Sequence, residues 1–148
     1  MNTVNLAYAA STGPQLSSAV DGIRLALHVL AASTWVGGQI VMAGLSPTAR
    51  SIGGDASKRF TRALSVLLWP AFALLIITGF WNISTITVSG QTTAWRTVLI
   101  VKLVLVVVSG VGVFLYQRAT TKRASAVWAS VGGLASVAAL VMGIFLAG

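Results

Sequence analysis

Apolar residues fall into four long blocks separated by short polar stretches. A helix rises about 1.5 Å per residue, so about 20 mostly apolar residues cross a hydrocarbon core of roughly 30 Å. Each block meets that length, which predicts helices over residues 21–45, 60–81, 95–116 and 125–147. Residues 63–95 carry no charge at all, too long a run for one helix. Asn82, Ser84, Thr85, Thr87, Ser89, Gly90 and Gln91 divide it as a loop. Pro47, Gly53 and Gly54 are expected to end the first helix before the second begins. Pro70 cannot donate to the carbonyl of Val66, which predicts a bend in the second helix. The fold class expected is all-α: a single-domain, integral membrane four-helix bundle.

Polar and aromatic residues recur within the blocks. Asp21, His28, Trp35 and Met42 repeat every seven residues in the first helix, and Trp95, Lys102, Ser109 and Tyr116 do the same in the third. A seven-residue step drifts only about 20° around a straight helix, so each set lies near one face. Those faces should look inward, with Leu, Val and Ile toward lipid. Small residues recur at four-residue spacing, Ser33 with Gly37 and Ser125 with Ala129 and Gly133. Such spacing lets helix backbones approach closely, within the bundle or in a homodimer.

Composition agrees with lipid as the solvent. The 148 residues are 56% hydrophobic, with ten basic and only two acidic residues, and the mean hydropathy is +0.89. A soluble domain carries about a quarter charged residues. The net charge of +8 would point to nucleic acid in a soluble protein. Here Lys and Arg gather in two loops, as the positive-inside bias requires, and no nucleic-acid partner is expected. Arg50, Lys58, Arg59 and Arg62 flank the first connection; Arg118, Lys122 and Arg123 flank the third. Both loops are therefore placed in the cytoplasm and both termini on the outer side of a cytoplasmic (inner) membrane. Met1 to Gln15 has neither the basic start nor the apolar run of a cleavable signal peptide, so the first helix is expected to act as its own insertion signal. The absence of cysteine excludes disulfides, thiolate metal sites and thiol catalysis.

Chemistry, if present, rests on polar residues inside the spans, because each must be paired, hydrated or used. His28 is the only histidine, seven residues beyond Asp21 and so roughly 10 Å below the outer end of helix 1. Lys102 lies at a matching depth beyond Trp95 in a helix of the same direction, so the two are expected to meet across the outer half. His28 reads either as a ligand or proton-transfer group or as a neutral ring hydrogen-bonded in the bundle. Lys102 reads as a charge partner for a substrate or cofactor, or as a side chain snorkelling to the interface. Arg24 and Arg96 near the outer ends could hold an anionic group such as a haem propionate, or contact lipid phosphate. Trp81 and Trp95 fit an aromatic belt.

Copper takes imidazole and thioether ligands, and Met142 is placed level with His28, making a His28–Met142 pair the candidate metal site. Met142 also reads as ordinary apolar filler. No paired carboxylates, nucleophile triad or phosphate loop occurs, which excludes a hydrolase.

The run from His28 through Trp35 to Gly37-Gly38 resembles the first-helix signature of the copper resistance protein CopD domain. Arg59-Phe60, followed by Thr78-Gly79-Phe80-Trp81-Asn82, and then Trp95-Arg96-Thr97 with Val101-Lys102-Leu103, continue that resemblance in order over residues 21–118. It implies a helical membrane protein of copper tolerance or copper movement, with copper as the cofactor or cargo. The chain lacks the Met- and His-rich outer segments of a dedicated copper importer. More distantly, the chain is similar to the HemJ-type membrane oxidases, which implies haem b, with His28 and Lys102 as the matching residues. A third reading is a small subunit of a larger membrane complex.

Overall fold

The computed structural model describes residues 18–53 and 55–147. It contains four helices: α1 (Ala19–Ile52), α2 (Ala56–Ser84), α3 (Thr93–Arg118) and α4 (Lys122–Ala147). All four are long and apolar enough to cross a membrane. The segment Met1 to Gln15 and Gly54 lie outside the described residues.

The helix ends follow capping chemistry more than hydropathy. Ser18 accepts from the Asp21 amide at the start of α1, and Thr92 accepts from the Trp95 amide at the start of α3. Helix α1 runs seven residues beyond the expected end at Leu45, straight through Pro47. Side chains in that last segment bond to its carbonyls: Ser46 to Met42 at 2.5 Å, Arg50 to Ser46 at 3.0 Å and Ser51 to Thr48 at 2.8 Å. None of them goes to the Ala43 carbonyl, which Pro47 leaves without its ladder donor. The stop falls instead at Gly53, whose φ of 78° with ψ of −173° is a backbone conformation that favours glycine.

The helices form two hairpins, α1 with α2 and α3 with α4, and α1 also packs against α4. The expected heptad faces do turn inward. Trp35 and Met42 are buried on α1, and Ser109 is buried on α3. Trp35 donates its indole N–H to Ser109 Oγ at 2.9 Å, joining the two stripes directly. Its ring also stacks at a tilt on Phe72, 4.4 Å between centroids, and near Trp69 at 5.7 Å. Leu68, fully buried, fills the space above Gly38. Trp35, a residue of the CopD-like run and so a candidate beside the site, is at 2% exposure the centre of this core. Trp35→Phe keeps most of the ring and removes the hydrogen bond, so it should destabilise the bundle by about 1 kcal/mol in a detergent unfolding titration.

The close helix crossing is on a different small-residue stripe from the one expected. A Cβ on Gly112 would lie 2.7 Å from the Cα and N of Gly132, so α3 and α4 meet backbone to backbone there. Ala135, Ser136 and Ala139 continue the buried face of α4. Gly37 and Gly133 have open space where a Cβ would be, and Ala129 is exposed. The remaining surface is apolar: Val66 and Leu134 are each 74% exposed, which suits lipid and not water.

Candidate functional site

The half of the bundle containing the start of α1 and the end of α2 gathers the polar residues that the sequence singles out. His28 is half-buried on α1, and its Nδ1 lies 2.9 Å from Thr78 Oγ1 on α2. The Thr78 hydroxyl has two carbonyls in reach, Leu74 at 2.7 Å and Leu75 at 3.3 Å. With its proton directed to them, it accepts from Nδ1–H. In the neutral ring that assignment leaves the lone pair on Nε2. The ring also lies against α2 at Gly79, where a Cβ would make an ordinary 3.5 Å contact with His28 Cε1.

One turn nearer the helix start, Arg24 is held in place by a 3.0 Å ion pair with Asp21 and a 2.7 Å hydrogen bond to Thr85 Oγ1. Its side chain is only 14% exposed. Its Nε is buried with no hydrogen-bond partner among the described residues. A guanidinium nitrogen in that state costs free energy until an acceptor reaches it.

Lys102 does not bond to His28. Its chain lies over Gly143 of α4, where a Cβ would stand 3.0 Å from Nζ, so that glycine makes room for the ammonium. No carboxylate among the described residues pairs with Lys102. Met142 is half-buried on α4 beside Gly143, and Arg96 is exposed on α3. Neither makes a side-chain hydrogen bond among the described residues. The structure therefore ties His28 to α2, Lys102 to α4 and Arg24 to the end of α2, and leaves Arg96 outside that network.

Thr78 and Thr85 escaped the reading of the sequence as partners of His28 and Arg24. The available signal was a Thr-Gly pair in an otherwise apolar run of α2, already noticed as part of a motif but not as a hydrogen-bond acceptor. No protein-family model, curated protein or solved structure matches the chain.

Two metal chemistries can be compared with these side chains. Among the described residues no group of three or more His, Cys, Asp or Glu comes together. Asp21, the acid nearest His28 along α1, is engaged by Arg24. For a copper ion the side chains on offer are the His28 imidazole and the Met142 thioether. For a planar metal complex carrying carboxylates, His28 offers one imidazole, and Arg24 and Lys102 offer cationic groups for its carboxylates.

Proposed function

We propose that this chain is a multi-pass protein of the cytoplasmic membrane, termini outside, that holds haem b in its outer half through His28. The observation carrying the reading is the hydrogen bond between His28 Nδ1 and Thr78 Oγ1, whose own proton has the Leu74 carbonyl in reach; with Nδ1–H donated to Thr78, Nε2 is the nitrogen available as a ligand. Metal-ligating histidines commonly donate their second nitrogen to an oxygen in this way, which fixes tautomer and direction. Arg24 and Lys102 would receive the propionates, and Trp35 supports α1 about two turns deeper on the same stripe. When bound, the haem supplies one-electron chemistry; the chain supplies position, charge and exclusion of water. The orientation rests on the positive-inside bias of the two basic loops.

The resemblance to the HemJ-type oxidases supports this reading, while that to the CopD domain supports copper handling with His28 and Met142. An absorption spectrum with metal analysis on detergent-purified protein from cells supplied with both iron and copper separates them. The expected result is a Soret band with stoichiometric iron. Bound copper without a Soret band, even after haem is added, would replace this reading with the copper one. Neither metal would favour a structural subunit of a larger complex.

Thr78→Val removes the acceptor while keeping the shape of the side chain. Loss of such an orienting partner typically weakens metal binding by about 10–100-fold, and haem affinity should fall within that range. The check is a haem titration followed at the Soret maximum, alongside a thermal melt showing that the bundle is intact.

A further inference from the structure

At the opposite end of the bundle from His28, the helix ends enclose an open cleft of about 720 Å³. Arg50, Lys58, Arg62 and Lys122 line it, with no Asp or Glu among the lining residues. Asp55 is the only acid at this end, and its pairing is with exposed Lys58 at 3.4 Å. Arg62 and Lys122 form no ion pair or side-chain hydrogen bond among the described residues. The N-terminal turns of both α2 and α4 also open here through Ser57 and Lys122, adding the partial positive charge of two helix ends. Hydroxyls of Thr61, Ser125 and Ser130 supply neutral donors beside the cations.

A second cavity of about 180 Å³ continues inward between α1, α3 and α4, and it is predominantly apolar. Ala43, Ser46, Tyr116 and Ala129 line both spaces, so the basic cleft and the apolar slot are contiguous. The slot is walled by Ile40, Leu134 and Val137, all exposed on the lipid-facing surface. A phosphate-bearing head in the cleft would thus have an apolar path for a chain attached to it.

We infer that this cleft and slot form a binding site for an anionic phospholipid, its phosphate among Arg50, Arg62 and Lys122 and one acyl chain between α1 and α4. Basic pockets between helices on the cytoplasmic side are suited to such headgroups. A free phosphate ester shares the headgroup chemistry but has no use for the slot. The site does not involve His28, so it stands or falls independently of haem.

The test is native mass spectrometry of the full chain in neutral detergent, titrated with phosphatidylglycerol, phosphatidylcholine or glycerol phosphate. Phosphatidylglycerol should bind in preference to phosphatidylcholine. The double variant Arg62→Gln/Lys122→Gln should lose about tenfold or more of that affinity, given about 1 kcal/mol per basic residue at an anionic lipid surface. Arg59→Gln/Arg123→Gln changes the same net charge outside the cleft lining and should leave the affinity nearly unchanged. Ala129→Phe should obstruct the slot and weaken lipid binding; circular dichroism and thermal melting establish that each variant is folded. Equal binding of the two lipids, equal losses in the two charge pairs, or glycerol phosphate competing as strongly as phosphatidylglycerol would each overturn the proposal.

Discussion

Gly112→Leu should prevent α3 and α4 from closing on one another, and little of the protein should survive purification as a folded bundle. Even the first carbon of the new side chain would stand 2.7 Å from backbone atoms of Gly132, which no rotamer change can relieve. Overpacking of flexible core sites costs about 1–3 kcal/mol, and a clash with backbone belongs at or above the top of that range. Gly112→Ala should follow in the same direction with a smaller loss. Gly110→Ala meets the far end of the Phe72 side chain instead of backbone, so the clash can be relieved by shifting that side chain and the loss should be smaller again. Gly37→Ala faces open space and should stay within about 0.5 kcal/mol of the parent. The series is read by unfolding in a denaturing detergent, and its order distinguishes a true backbone contact from a general cost of lost glycine.

His28→Ala should yield a folded protein that carries no haem, as purified or after supplementation. The ring is half-buried and touches α2 through one hydrogen bond and the Gly79 surface, so the bundle should lose only a modest part of its stability. The ligand loss is different in kind, because no second histidine or cysteine exists in the chain to replace it. Added imidazole should restore part of the Soret absorption if Arg24 and Lys102 still hold the rest of the group. A variant that keeps its haem unchanged would place the iron elsewhere.

Hydropathy alone was enough to locate four helices, because each span must satisfy its backbone internally and present apolar side chains to lipid. The inward faces were legible too, since Trp35, Met42 and Ser109 sit on heptad stripes that any helix geometry imposes. The extension of α1 past Pro47 was not legible. Pro47 removes one ladder bond but leaves its neighbours able to stay helical, and the same residues could equally have started a loop. Helix rotation was the other hidden variable. Four-residue spacing marks Ala129 and Gly133 as a candidate contact, but Gly112 on α3 faces Gly132 instead, one residue away.

The candidate site divides along the same line. Depth along a helix follows from counting residues, so His28 and Lys102 could be placed in the same half. Which neighbour each side chain reaches depends on how the helices turn about their axes. His28 turns to Thr78 on α2, and Lys102 turns to the space above Gly143 on α4. Arg24 reaching Thr85, sixty-one residues away in sequence, has no local signature at all.

The presence of a single histidine makes the central claim directly measurable. Untagged protein labelled with 15N only at histidine gives one pair of ring resonances, recorded before and after stoichiometric haem b. The predicted spectrum has a protonated, hydrogen-bonded Nδ1 and a bare Nε2, and haem removes the Nε2 resonance from its original position. A protonated Nε2 in the haem-free protein, or a ring whose resonances ignore the haem, would contradict the account.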